Sequence, residues 1–331
     1  MCTAIRDNSG RFLFGRTLDL ERSYNEHVIL TPRRKPLDFL HTSPTSRHLG
    51  ILGIGIVFED KPLYFDAINE SGLAVAALNF PRSAVYRDIM PNAKNLASFE
   101  VIPYILAHCN SIEAAREILK EVNITRESVS GTLPASPLHW IISDKDSSIV
   151  IESTSDGVKI YDDPFGVLTN EPPFPFHLSN TESFSALSSA PPENKLAPGI
   201  DILPHSRGTG AFGLPGDFSS PSRFVRAVFI KNHTDADKTG AISRFFRIMD
   251  TLSVPRGAIK TDVGASVYTV YTSCGDPENM TYYFTTYASR TICSLTPTDN
   301  EISEDRILSL PISEDEKIFT RDFNIKSGQL K

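Results

Sequence analysis

The order of its elements predicts an α+β chain with a sheet-on-sheet core covered by helices. Strand patterns come first, then helical spacing, then strands, helices and strands again, which suits a sheet-on-sheet core rather than repeated βαβ units. No glycine-rich phosphate fingerprint follows any strand. Two apolar runs, 51–58 and 73–78, read as strands buried on both faces.

The chain opens Met1-Cys2-Thr3-Ala4-Ile5-Arg6. Cysteine is small enough for the initiator methionine to be trimmed, which would leave Cys2 with a thiol and a free α-amine. A thiol titrates near about 8.5 and an α-amine near about 7.7 to 8.0, so part of the amine is uncharged at neutral pH. One residue then supplies both nucleophile and general base. By itself a cysteine at position two is often incidental, and its neighbours decide. Thr3-Ala4-Ile5 reads as a strand, Asp7-Asn8-Ser9-Gly10 as a turn, and Phe12-Leu13-Phe14-Gly15 as the returning strand of a hairpin. That strand ends in Arg16-Thr17-Leu18-Asp19, which the hairpin brings beside Cys2. Arginine near sulfur favours thiolate, and a carboxylate can hold the amine. A surface ion pair is the other reading of Arg16 and Asp19.

Between the two apolar runs, Asn69-Glu70-Ser71-Gly72 is a turn, and the second run leads into Asn79-Phe80-Pro81, where the backbone leaves the sheet. From 96 to 121 the spacing becomes helical and fits two helices joined near Asn110-Ser111. Strands return at 139–142 and 148–152. Asn170 closes the strand-like Val167-Leu168-Thr169 and precedes Glu171-Pro172-Pro173, where prolines force a turn. An amide there can donate to a developing oxyanion, a contribution of about 3 to 4 kcal/mol, or can simply serve the turn. The glycine-rich stretch from His205 to Asp217 carries Arg207 and reads as a loop bordering a pocket. Ser220 reads as a helix N-cap with Pro221 at the first helical position and Arg223 in the first turn. A helix over 242–252 and a hairpin of 266–272 with 280–287, turning at Cys274-Gly275-Asp276-Pro277, complete the chain. Its tyrosines read mostly as packing residues.

Composition narrows the function classes. The chain has 331 residues, 40% hydrophobic and 22% charged, enough to bury a large core, with no linker dividing it. A net charge of −7 with dispersed Lys and Arg argues against a nucleic-acid partner. No apolar run reaches membrane-span length and no secretory signal opens the chain, so a cytoplasmic protein without a membrane partner is expected. Cys2, Cys109, Cys274 and Cys293 lack CxxC spacing, which disfavours zinc and redox motifs and leaves the last three as core thiols.

Five segments, taken together, resemble a known family: Met1-Cys2-Thr3, Phe14-Gly15-Arg16-Thr17-Leu18-Asp19, Gly166-Val167-Leu168-Thr169-Asn170-Glu171-Pro172, Gly213-Leu214-Pro215-Gly216-Asp217 and Ser222-Arg223-Phe224. Their order and spacing resemble the choloylglycine hydrolase family, which groups bile salt hydrolases with penicillin V acylases. The resemblance covers nearly the whole chain. It implies an N-terminal nucleophile hydrolase, an αββα sandwich, formed as one domain over residues 1–331 with Met1 removed. It also implies that Cys2 attacks a secondary amide while the Asn79 backbone N–H and the Asn170 side chain hold the oxyanion. Arg16, Asp19 and Arg223 would set geometry and charge. With such a substrate, Arg207 on its glycine-rich loop either meets the anionic tail of a glycine or taurine conjugate or is a solvated loop arginine. Water would release the product, and an amino acid in its place would give acyl transfer. No cofactor or metal is implied, and a homotetramer is. Asparagine at 79 favours conjugated bile salts over penicillin V; a noncatalytic ligand-binding protein on the same fold is a further alternative.

Overall fold

A computed structural model describes residues 1–131, 133–236, 240–312 and 315–320. Strands β1 (Cys2–Asp7) and β2 (Leu13–Leu20) form the expected opening hairpin, with Cys2 opposite Leu18 and Ala4 opposite Arg16. A meander follows through β3 (His27–Thr31), β4 (Ile51–Phe58), β5 (Lys61–Asn69) and β6 (Ala74–Asn79). β7 (Lys94–Ala97) pairs in parallel with β8 (Val122–Thr125) around helices α1 (Val101–His108) and α2 (Ile112–Leu119). Then come β9 (Leu138–Ser143), β10 (Ser148–Thr154), β11 (Gly157–Asp162), the short β12 (Val167–Leu168) and α3 (Phe174–Thr181). The remainder is α4 (Ser220–His233), α5 (Ala241–Asp250), β13 (Ile259–Lys260), β14 (Ser266–Asp276), β15 (Thr281–Thr286), β16 (Cys293–Leu295), α6 (Asp299–Ile302) and β17 (Leu308–Pro311).

Apart from the parallel pair β7 and β8, the strands sort into two antiparallel sheets. One runs β12-β1-β2-β14-β15-β16 with β13 on β14, and the other β11-β10-β9-β6-β5-β4-β3-β17. Two apolar clusters account for the layering. Leu52, Ile54, Ala76 and Ile141 of the second sheet meet Ala4, Phe14 and Leu18 of the first in a cluster that continues to Phe224, Phe245 and Met249 of α4 and α5. The opposite face of the second sheet, with Val75, Ile142 and Ile151, packs on Ile105, Leu106, Ile112 and Leu119 of α1 and α2. The result is four layers, α4 and α5, sheet, sheet, α1 and α2, as predicted for an α+β sandwich. Each large aliphatic side chain buried between them contributes roughly 1.5 to 3 kcal/mol. Among the described residues no helix is long and apolar enough to cross a membrane.

Several boundaries differ from the sequence reading, each for a physical reason. β2 runs on to Leu20, so Arg16 and Asp19 stand within a central strand and not past its end. β14 lies against them because position 15 is glycine: a Cβ there would sit 2.0 Å from the Ser273 carbonyl oxygen. β5, with a buried Asp66 in its middle, occupies what read as the approach to a turn. Leu96 belongs to β7, and α1 begins only at Val101. Ser219, not Ser220, caps α4, its side chain accepting from the Ser222 N–H. Cys274-Gly275-Asp276 continues β14 up to the turn at Pro277–Asn279. Cys109 and Cys274 are core thiols as expected, while Cys293 is half-buried.

Candidate active site

Alternation along the strands decides which side chains can meet. Residues opposite one another in an antiparallel pair share a face, so Cys2, Ala4, Arg16 and Leu18 point toward the second sheet. Thr3, Thr17, Asp19, Thr269 and Thr272 point the other way, toward α4 and α5. The site therefore straddles β1. Cys2 is only 2% exposed.

Asn170 joins the parts. β12 pairs with β1, Leu168 opposite Ala4, and so delivers Asn170 beside the chain start. Its Oδ1 accepts from the Cys2 backbone N–H at 2.8 Å and from Arg223 Nη2 at 2.8 Å, and its Nδ2 donates to the Asn79 carbonyl at 2.7 Å. One N–H of the amide is left for a ligand. Arg223, fully buried in the first turn of α4, also donates to the Cys2 carbonyl and to Thr3 Oγ1. Burial lowers its pKa, with Asp19 and Cys2 opposing that trend. The expectation that Arg223 supports Cys2 takes a specific form here, a clamp on the backbone of β1.

The edge of β6 supplies the remaining donor. The Phe80 N–H bonds the Pro137 carbonyl at 2.8 Å, so the N–H of Asn79, one residue earlier, points to the opposite edge of the strand. Pairing of β6 with β5 has ended at Ala76, and the edge is open from there. The Ala77 carbonyl on that edge accepts from Arg16 Nη1, and the Asn79 carbonyl accepts from Asn170. Arg16 is buried between the sheets, and its Nη2 has no partner among the described residues. Although burial works against its charge, the fields of Cys2, Tyr271, Asp66 and Asp19 outweigh it and raise its pKa. Asp19 meets the chain start through its backbone: its carbonyl accepts from the Met1 amine at 2.6 Å and its N–H donates to the Met1 carbonyl at 3.0 Å. Its carboxylate accepts from Thr17 Oγ1 at 3.1 Å and Thr269 Oγ1 at 2.6 Å.

Of the seven singled-out residues, the structure thus gathers Cys2, Arg16, Asp19, Asn79, Asn170 and Arg223. Arg207 stands exposed on the long loop, without a hydrogen bond or ion pair to that group among the described residues. Other members went unread. Thr3 takes a bond from Arg223. Behind Arg16, the buried Asp66 accepts from Tyr271 and Tyr282 hydroxyls and from Ser273 Oγ at 2.6 Å, so these tyrosines do more than pack. Burial raises the Asp66 pKa. An aspartate flanked by Phe65 and Ala67 in an apolar strand was the available signal. Glu171 accepts from the Arg82 and Ser83 N–H groups at 2.8 and 2.9 Å, tying the segment after Asn170 to the corner after Asn79.

His177 reports on the electrostatics of this region. Its Nε2 bonds the Asn170 carbonyl at 2.9 Å, and burial lowers its pKa from 6.5 to about 4. In the unfolded chain it takes its proton below about 6.5; in the fold it does so only below about 4. The unfolded state therefore holds more protons within that window, and the residue's contribution is complete above it and lost as pH falls through it. Relative to wild type, His177→Phe is expected to lose less stability between those pH values, by up to about 3 kcal/mol. Urea melts at stepped pH measure this, and parallel curves for the two proteins would count against it.

Comparisons with known proteins agree with this geometry. Residues 2–307 match the family described as linear amide C–N hydrolases, choloylglycine hydrolase family. The bile salt hydrolase/transferase of Lactiplantibacillus plantarum is 41% identical, the match covering 94% of this chain and 97% of that protein. The conjugated bile acid hydrolase of Lactobacillus gasseri is 38% identical over 86% of this chain and 92% of its own length. The crystal structure of the C2A mutant of conjugated bile acid hydrolase from Clostridium perfringens superposes with a TM-score of 0.89 and 31% identity, covering 97% of this chain and all of that one. Penicillin V acylase from Agrobacterium tumefaciens, at 19% identity and a TM-score of 0.74, shares the fold. The sandwich is that of N-terminal nucleophile hydrolases, and the chain belongs to the choloylglycine hydrolase family of linear amide C–N hydrolases.

Proposed function

We propose that this chain hydrolyses the amide bond of glycine- or taurine-conjugated bile salts through a thioester on Cys2, after Met1 has been removed. The reading is supported above all by the closed circuit of Cys2, Asn170, Asn79 and Arg223. In the first half-reaction the freed Cys2 amine takes the thiol proton and sulfur attacks the amide carbonyl. The Asn79 N–H and the remaining Asn170 Nδ2–H hold the oxyanion. The amine passes its proton to the leaving nitrogen, the C–N bond breaks, and water then hydrolyses the thioester. Arg16, reaching from β2 toward the second sheet with no partner at Nη2 among the described residues, stabilises thiolate and oxyanion, and Asp19 holds the amine. An amino acid replacing water gives acyl transfer. The family match and the names of its relatives point the same way.

Side-by-side assays of glycocholate, taurocholate and penicillin V test the substrate class. Turnover of both conjugates well above that of penicillin V is expected; the reverse order would make the protein a penicillin acylase, and no turnover a binding protein. Active material is expected to lack Met1 by intact-mass measurement, since a retained methionine keeps the Cys2 nitrogen in a peptide bond. Arg207 is proposed to meet the anionic tail of the conjugate, so Arg207→Ala raises KM several-fold with kcat little changed, a pattern of lost uniform binding. A homotetramer in the cytoplasm, one domain per chain, completes the reading. The exposed Leu196, Ile200, Leu203 and Phe212 on the long loop are a surface that such an assembly would cover.

A further inference from the structure

Three side chains that make no bond to Cys2 converge on the backbone of Asn170. His139 Nε2 bonds the Thr169 carbonyl at 3.0 Å, and His177 Nε2 bonds the next carbonyl, that of Asn170, at 2.9 Å. The Asn170 N–H donates to Ser220 Oγ at 2.8 Å, and Ser220 in turn donates to Thr169 Oγ1 at 2.8 Å. A carbonyl only accepts, so both Nε2 atoms carry the proton. Both imidazoles are fully buried.

Their ring faces are as informative as their nitrogens. His139 stacks on Phe80, centroids 4.3 Å apart and planes 6° from parallel, and Phe80 directly follows Asn79. His177 stacks on Phe224, at 4.9 Å and 21°, and Phe224 directly follows Arg223. Each ring thus binds a carbonyl beside the Asn170 side chain while leaning on the neighbour of another site residue. His139 is further fixed by its Nδ1, 3.2 Å from Glu152 Oε1, and that oxygen accepts from the Phe174 N–H at 2.9 Å. Ser220 belongs to the same first turn of α4 as Arg223. The end of β6, the end of β12 and the start of α4 come from distant parts of the chain, and these three side chains hold them in one register.

We propose that His139, His177 and Ser220 are positioning residues that aim the Asn170 amide at the reacting carbonyl. The inference rests on the proposed role of Asn170 as an oxyanion donor. Without these bonds the peptides on either side of Asn170 can rotate, and the amide swings with them. Misplacement of about 1 Å at a reacting centre can cost on the order of 100-fold in rate. Since the oxyanion exists only in the transition state, the loss falls on kcat and spares KM.

The test compares four purified variants by kcat and KM for taurocholate, with circular dichroism and thermal melts to establish folding. His177→Phe keeps the stack on Phe224 and removes the donor; His177→Gln keeps a donor. Ser220→Ala, at a half-buried site, removes the opposite bond with little risk to folding. Asn170→Ala measures the underlying role. We expect kcat to fall between about 10- and 100-fold in His177→Phe and Ser220→Ala with KM within about twofold, and His177→Gln to recover most of the loss. A folded Ser220→Ala variant at wild-type kcat would overturn the inference, as would a His177→Gln variant no better than His177→Phe. Wild-type kcat in Asn170→Ala would instead remove the oxyanion role itself, so the two failures are told apart.

Discussion

Cys2→Ala is expected to abolish turnover of every amide substrate. In the proposed mechanism the sulfur forms the acyl intermediate, and among the described residues the neighbouring hydroxyls and the other thiols stand elsewhere: Thr3 and Thr17 lie on the opposite face of the sheet, and Cys109, Cys274 and Cys293 lie on α1's C-terminal end, β14 and β16. Alanine at position two also permits removal of Met1, so the amine, Asn170 and Arg223 stay in place and only the nucleophile is lost. Removing a nucleophile from a working constellation costs on the order of 10⁶-fold in kcat, with the rest of the site unable to compensate. The fold should barely respond. Replacing one buried thiol by hydrogen leaves a small cavity at about 1 kcal/mol, a shift of about 1 to 2 °C in melting temperature for a chain of this length. Taurine release measured at high enzyme concentration decides the matter, and wild-type rates from Cys2→Ala would refute the thioester route.

The second large effect is expected from Asn170→Ala. The side chain serves three groups at once: the nitrogen of Cys2, the guanidinium of Arg223 and the carbonyl of Asn79. Loss of a single preorganised oxyanion donor costs about 10² to 10³ in kcat. Here the substitution also leaves one Arg223 N–H and the Asn79 carbonyl without partners in a buried setting, which adds to the loss by letting the edge of β6 relax. The fall should appear in kcat and kcat/KM together, with KM nearly constant. A variant in which KM alone rises would mean that Asn170 binds substrate and transition state equally.

Much of this was legible in the chain because the signals were local. The opening hairpin followed from a turn sequence between two short apolar runs, and it alone placed Arg16 and Asp19 opposite the chain start. Asn170 and Arg223 were different. Their neighbourhoods read as turn and first-turn chemistry, and only the resemblance singled them out, because what joins them is the pairing of β12 with β1 and the bonds of Arg223, on α4, to Asn170 and Cys2, all between distant parts of the chain. The boundaries that went astray did so where tertiary contact overrode local preference. Ser220 has the composition of a cap, yet its hydroxyl is drawn to Asn170 and Ser219 caps instead. Asp66 carries no motif at all; its meaning comes from Tyr271, Ser273 and Tyr282, more than 200 residues later.

The backbone bonds between Met1 and Asp19 extend the first hairpin by one residue past Cys2. In a nascent chain this sets a schedule. The hairpin itself can zip within about 1 to 10 μs of leaving the ribosome, but its other flank stays bare until β12, Asn170 and Arg223 have been synthesised. At about 5 to 20 residues per second, the roughly 200 residues between β2 and Arg223 leave an interval of about 10 to 40 s. If Met1 is removed as proposed, the trimming enzyme meets a two-stranded ribbon that frays readily during that interval, and afterwards a finished sandwich in which Asp19 holds Met1. Under that same proposal, overproduction that outruns trimming is expected to yield folded molecules one methionine heavier by intact mass and without turnover of the conjugates.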